Sequence, residues 1–118
     1  MRLQQHSAPY AHAVFTAAHG DLIRVVPERG GLLTGWQVQG REIIYLDQER
    51  FLTPGQSVRG GAPILFPICG NLPGDSLHLK GGRTATLKQH GFARDLPWQL
   101  TALADGQGVR LELSDSEQ

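Results

Sequence analysis

Glycine and proline divide this sequence into short segments, and their spacing limits the possible folds more than any other feature. The 118 residues include 15 glycines and 7 prolines, which are spread along the chain and are not gathered in a linker. The segments between them have the length of β-strands, and none keeps the 3.6-residue period of a long helix. We therefore predict an all-β protein built from antiparallel hairpins.

The predicted strands are the segments between these glycines and prolines. They cover residues 12–18, 21–27, 32–38, 41–46, 77–80, 84–88, 98–103 and 109–113. In the last of them, apolar residues alternate with charged ones, which is typical of a half-buried strand. A single helical turn is predicted at 47–51. Residues 53–76 are the least regular stretch, and functional residues often lie in such loops.

Charge and cysteine content exclude several classes of function. Eleven basic and eleven acidic side chains cancel, so we expect neither a nucleic acid nor a membrane partner. The single cysteine, Cys69, excludes an internal disulfide and fits a reducing, cytoplasmic setting. Because no cation neighbours it in the sequence, we expect a buried, inert thiol. The histidines lack the spacing of metal ligands, so neither a metal nor a cofactor is expected.

The stretch SVRGGAPILFPICGNLPGD, residues 57–75, is the most unusual one. Two glycines follow Arg59 and permit backbone conformations closed to other residues, while prolines stiffen the apolar run after them. An arginine on such a constrained backbone is well placed to bind a phosphate, a carboxylate or paired sugar hydroxyls, because its forked donors match two acceptors. On spacing alone, a solvated arginine before a turn is the better interpretation of Arg59.

A second stretch, QHGFARDLPW, covers residues 89–98. Strand alternation predicts His90, Phe92 and Arg94 on one face, unless a bulge at Gly91 lets Gln89 share a pocket with Arg94. Imidazole titrates near neutrality, so His90 has the chemistry of an acid, a base or a hydroxyl binder. A core histidine bonded to a carbonyl or to an aspartate is as good an interpretation.

Two tryptophans are also candidates for sugar contacts. Trp36 and Trp98 have faces that could stack on a sugar ring, but each lies in an apolar, alternating segment. Filling the core is therefore the better prediction for both.

Three stretches, taken together and in chain order, resemble the first part of an aldose 1-epimerase, in the branch of the glucose-6-phosphate 1-epimerases. They are PERGGLLTGWQVQGREIIYLD, SVRGGAPILFPICGNLP and QHGFARDLPW. The resemblance implies an antiparallel β-supersandwich of the galactose mutarotase type, with a sugar cleft on one sheet. It also implies a hexose or hexose 6-phosphate as the ligand. The substrate-pocket positions of the family match Arg59, Gln89, His90 and Arg94 of this sequence. The resemblance implies that Arg59 and Arg94 face a phosphate.

The reaction that the resemblance implies is the interconversion of α and β anomers. One group takes the proton of the C1 hydroxyl while another protonates the ring oxygen. In the family these are a glutamate and a histidine that follow the HGFAR motif, beyond Gln118 of this sequence. We therefore expect no catalytic residue in residues 1–118 and interpret the chain as the N-terminal portion of one domain, inactive alone. A non-catalytic carbohydrate-binding domain and an unstable truncated product remain alternatives.

Overall fold

The computed structural model describes residues 2–115 and is built mainly from antiparallel strands. The strands are β1 Arg2–His6, β2 His12–Thr16, β3 Leu22–Val26, β4 Leu32–Val38, β5 Arg41–Glu42, β6 Ser76–His78, β7 Thr84–Thr86, β8 Gln99–Ala102 and β9 Val109–Glu112. The first five pair in chain order into one sheet, whereas β6–β7 and β8–β9 are separate hairpins. The all-β prediction is confirmed.

The ends of the strands differ from the prediction in several places. Only β4 has the predicted bounds, and β1 was not predicted at all. The β1 sequence, RLQQH, has no apolar alternation. It becomes a strand because each residue pairs with β2, from Arg2 opposite Thr16 to His6 opposite His12. An edge strand of this kind depends on its neighbour more than on its own pattern.

The predicted strand 41–46 is shorter in the structure, with only the two residues of β5, and the Glu42 side chain bonds the backbone at this point. Glu42 Oε2 accepts the backbone N–H groups of Trp36 at 2.7 Å, Ile43 at 3.1 Å and Ile44 at 3.2 Å. The Ile43 N–H also donates to the Trp36 carbonyl at 2.7 Å, so the hairpin contact extends one residue past β5. The carboxylate adds to that contact and takes the Ile44 N–H as well.

The helical turn predicted at 47–51 is present as α1, Gln48–Leu52. Asp47 caps it by accepting the backbone N–H of Arg50 at 3.0 Å. Phe51 is the buried residue of this helix, and it packs with Val26 and Leu32 into the main hydrophobic cluster. The helix thereby anchors the loop that follows it to the five-stranded sheet.

Four short 3-10 helices complete the described part of the chain: Pro27–Arg29, Pro73–Asp75, Lys80–Gly82 and Ala93–Asp95. Among residues 2–115, no helix combines the length and the apolar character needed to cross a membrane.

Candidate functional site

The two unusual stretches of the sequence lie side by side. We name residues 57–70 the RGG loop and residues 89–98 the HGFAR loop. Phe66 of the first and Gly91 of the second form an isolated parallel bridge. The backbone N–H groups of Phe92 and Ala93 both donate to the Phe66 carbonyl, each at 3.1 Å. The two loops are therefore joined along their edges, although a hairpin separates them in the sequence.

Gly91 makes this junction possible. It is buried and has a φ of +70°, and a Cβ placed on it would overlap the carbonyl group of Phe66. Both the left-handed backbone and the close approach require a residue without a side chain. The predicted break at Gly91 is confirmed, but it is a turn and not a bulge within a strand.

His90 is held by a reciprocal pair of bonds to one residue of the RGG loop. Its backbone N–H donates to the Gly70 carbonyl at 2.8 Å, and its ring Nδ1 accepts the Gly70 N–H at 2.9 Å. A neutral ring that accepts at Nδ1 carries its proton on Nε2. His90 also has a left-handed φ of +65°. The half-buried ring is thus oriented, with its Nε2–H as the remaining donor.

The alternation predicted for this stretch is wrong. Residues 89 and 90 form a turn and Ala93–Asp95 a 3-10 helix, so His90, Phe92 and Arg94 do not share a strand face. The core-histidine interpretation also needs correction, because Nδ1 accepts from an amide and does not donate to a carbonyl or to Asp95.

Gln89 and Arg94 are brought together by this turn. Arg94 Nη2 donates to the Gln89 carbonyl at 3.2 Å, while the Gln89 side chain is exposed. The Nε atom of Arg94 is buried and has no hydrogen-bond partner among the described residues. Most buried polar atoms in proteins are paired, and this N–H remains available to an acceptor.

Arg59 has an exposed side chain on a fixed backbone. Its carbonyl accepts the Asp47 N–H at 2.9 Å, and the next residue, Gly60, bridges to Leu46. Gly60 has a φ of +97°, and a Cβ there would overlap the Tyr45 carbonyl. The constrained backbone predicted beside this arginine is therefore present.

A cavity of about 240 Å³ connects these segments. Val58 and Gly60, on either side of Arg59, border it together with Arg94, but Arg59 itself does not. The charged side chains along the border are Arg29, Arg94 and Asp95.

Arg29 is the residue that the sequence interpretation missed. Its guanidinium carbon lies 5.2 Å from the centre of the Phe51 ring, a cation–π arrangement that fixes its position. A signal was available: Arg-Gly-Gly occurs at residues 29–31 as well as at 59–61. The first copy lies between the predicted strands 21–27 and 32–38, where its glycines are typical of a turn.

Three further residues differ from expectation or refine it. Cys69 is exposed, so the prediction of a buried thiol is wrong. Trp36 is 42% exposed in the described structure, against the prediction of a core residue. Trp98 is half-buried, and its Nε1–H donates to the Ala93 carbonyl at 2.8 Å, which ties the end of the HGFAR loop to its middle.

Within residues 2–115, no three His, Cys, Asp or Glu side chains gather as metal ligands. One carboxyl group outside the two loops has a perturbed acidity. The pKa of Asp21 is lowered chiefly because its carboxylate accepts the Gln39 backbone N–H at 2.9 Å, with a smaller contribution from His19.

Comparisons with known proteins give named relatives, although no protein-family model matches the chain. Three similar curated proteins share the name "Putative glucose-6-phosphate 1-epimerase". The chain is 32% identical over 94 residues to that of Escherichia coli K12 and 36% identical over 93 residues to that of Salmonella typhimurium. It is 32% identical over 72 residues to that of Cenchrus ciliaris.

These alignments cover 76%, 75% and 60% of this chain but only 29%, 28% and 18% of the relatives. The chain therefore spans less than a third of their length. Among solved structures, the crystal structure of the Slr1438 protein from Synechocystis sp. PCC 6803 is 44% identical, with a TM-score of 0.78. That match covers 99% of this chain and 39% of the other.

Proposed function

Because the chain belongs to the aldose 1-epimerase family, in the branch of the glucose-6-phosphate 1-epimerases, we propose that it forms part of the sugar-binding cleft of a hexose 6-phosphate mutarotase. The observation that carries this proposal is the junction of the RGG and HGFAR loops through Phe66 and Gly91. It gathers donors of the kind that sugar hydroxyls and phosphates accept.

Each proposed substrate-binding residue has a distinct part. His90 offers its Nε2–H to a hydroxyl, because Gly70 occupies Nδ1. Gln89 lies in the turn next to His90, with its side chain exposed to a ligand. Arg94 and Arg59 supply guanidinium donors, which form charge-assisted bonds to a phosphate.

The exchange of anomers requires proton transfer as well as binding of the sugar. A base must take the proton from the C1 hydroxyl as the C1 to ring-oxygen bond breaks, while an acid protonates that oxygen. Closure on the other face of the carbonyl reverses both transfers. In the family, that base and acid follow the HGFAR motif, so we propose that residues 1–118 bind sugar and do not catalyse. We also propose a cytoplasmic location, where hexose phosphates are formed.

The test is to follow the equilibration of α- and β-glucose 6-phosphate by NMR in the presence of the purified chain. We expect the rate of the buffer alone, together with saturable changes in the protein's amide shifts. Acceleration in proportion to protein concentration would overturn the claim that the chain does not catalyse. An absence of any sugar-dependent shift would overturn the binding claim.

Arg94→Ala tests the phosphate contact separately. In the same titration we expect this variant to lose the preference for glucose 6-phosphate over glucose. Unchanged affinity for the phosphorylated sugar would mean that this arginine does not contact the phosphate.

A further inference from the structure

We propose that His6 and His12 together bind a divalent transition-metal ion of the Zn²⁺ class, and that the ion ties the edge strand β1 to β2. The argument uses the register of the two strands, the orientation of one ring and the charge beside the pair. It does not depend on the sugar-binding function, because neither histidine belongs to the RGG loop or to the HGFAR loop.

The register of the first hairpin places the two rings together. His6 is the last residue of β1 and His12 the first of β2, and the two are direct partners in the antiparallel ladder. Directly opposite residues of such a ladder project to the same face of the sheet. The ring centres are 4.9 Å apart, with 19° between the ring planes. The pair thus depends on strand pairing and not on the short sequence spacings that are typical of metal ligands.

The ring of His12 is oriented as metal-binding imidazoles are. Its Nδ1 lies 2.8 Å from the Tyr10 carbonyl oxygen. Because a carbonyl only accepts, we assign the proton of the neutral ring to Nδ1, which leaves the lone pair on Nε2. Ligating histidines commonly donate their other ring N–H to a backbone carbonyl, which fixes the ring and strengthens the ligand. Nε2 of His12 is therefore prepared to bind a metal ion.

One histidine is anchored and the other is free to adjust. The Tyr10 ring lies 5.1 Å from the His12 ring and 4.7 Å from the ring of Phe51, which belongs to the hydrophobic cluster. His12 is thereby held against the core. His6, in contrast, is exposed on the edge strand. In the proposed site the His6 ring rotates out of the stack and brings a nitrogen to the ion at Nε2 of His12.

The surroundings of the pair favour a cation. A cavity of about 270 Å³ is bordered by both histidines and by Glu28, which is the residue with a formal charge among those described along its border. A carboxylate attracts a cation to this cavity. Imidazole suits zinc, copper and nickel, whereas Mg²⁺ prefers oxygen ligands. Within residues 2–115 no third His, Cys, Asp or Glu joins the pair, so solvent oxygens complete the coordination.

The experiment is a titration of the Cys69→Ser chain with ZnCl₂, followed by the histidine ring signals in NMR and by thermal melting. The substitution removes an exposed thiol that would itself bind zinc. We expect saturable binding and a rise in melting temperature, because the ion binds the paired strands more tightly than the unfolded chain. His6→Ala and His12→Ala should each weaken binding by about tenfold or more and abolish the rise. His78→Ala is the matched control, since His78 is exposed and lies on β6, in a different hairpin.

Equal Zn²⁺ affinity in His6→Ala and His78→Ala would overturn the role of the pair, and no saturable Zn²⁺ binding would refute the site. MgCl₂ is titrated in parallel, and Mg²⁺ binding of the same strength would place the ion on oxygen ligands and refute imidazole coordination. If His12→Ala does not fold, His6→Gln on the exposed edge strand gives the same test. Binding that requires both histidines but leaves the melting temperature unchanged would overturn the tie between β1 and β2.

Discussion

Single backbone conformations decide how the HGFAR loop is built. His90 and Gly91 both have positive φ angles, and both are bonded or bridged to the RGG loop. The residue type at each position matters for a different reason. At Gly91 the space is taken by a carbonyl, whereas at His90 the ring supplies an acceptor.

Gly91→Ala is expected to destabilise the chain by about 3 kcal/mol, since it combines a strained φ with overlap against the Phe66 carbonyl. Gly106→Ala is the matched control: its φ is +71°, but nothing lies within 4 Å of the added Cβ. The control should lose only about 1 kcal/mol, the cost of the left-handed backbone. Urea unfolding of the two variants measures the difference, and equal losses would contradict the close approach at Gly91.

Two substitutions separate the contribution of His90 to stability from its contribution to sugar binding. Asparagine tolerates a positive φ and keeps an acceptor for the Gly70 N–H, but it lacks the Nε2–H. We expect His90→Asn to retain most of the stability of the chain and to bind sugar about tenfold more weakly. His90→Ala should lose both, with about 1 to 2 kcal/mol of destabilisation from the unpaired amide. Thermal melting and sugar titration give the two readouts, and full sugar affinity in His90→Asn would exclude a contact through Nε2.

At the scale of elements, two carboxylate side chains bond to the backbone next to the ends of strands. Glu42 accepts three backbone N–H groups at the end of β5. Asp21, just before β3, accepts from Gln39 in the turn between β4 and β5. Both carboxylates thus bond the backbone at the same end of the five-stranded sheet, although Glu42 is the last residue of β5 and Asp21 precedes β3.

Glu42→Ala is expected to destabilise the chain by about 1 to 2 kcal/mol, because it removes the acceptor that three exposed donors share. Glu112→Ala on β9 is the control, since this exposed glutamate accepts no hydrogen bond from the described backbone. A free energy of unfolding that falls equally in both variants would argue against the role of Glu42 in the hairpin.

Asp21→Asn tests the pH dependence of the other carboxylate. The folded pKa of Asp21 is lowered by the Gln39 N–H, so the ionised group stabilises the fold above the ordinary aspartate pKa of about 3.9. That contribution disappears as the pH falls through the lowered folded pKa. The stability difference between the wild type and Asp21→Asn should therefore shrink as the solution is acidified, and a difference that grows would reverse the assignment.

As a whole molecule, the described chain is extended and has a small core. Its radius of gyration is 16.5 Å, against about 13 to 14 Å for a compact domain of this length. The hydrophobic cluster centres on three buried residues, Val26, Leu32 and Phe51. Phe66 and Phe92, in contrast, are 57% and 43% exposed beside the candidate site.

A small core predicts weak cooperativity. The slope of free energy against urea concentration scales with the surface exposed on unfolding, so we expect about 1 kcal/mol/M or less for this chain. Urea unfolding followed by circular dichroism gives this slope. A value near 2 kcal/mol/M or above would show that the chain in solution buries far more surface than the structure describes.

Spacing and turn chemistry are local properties, and from them the all-β class, the bounds of β4 and the helical turn at α1 could be predicted. Three features could not be predicted in this way: that β1 is a strand, that the HGFAR loop is a turn bonded to Gly70 and Phe66, and that Arg29 borders the same cavity as Arg94. Each of these depends on a partner distant in the sequence: β2 for β1, the RGG loop for His90, and the Gly30 to Leu96 bond for Arg29. Local patterns do not encode which distant groups meet.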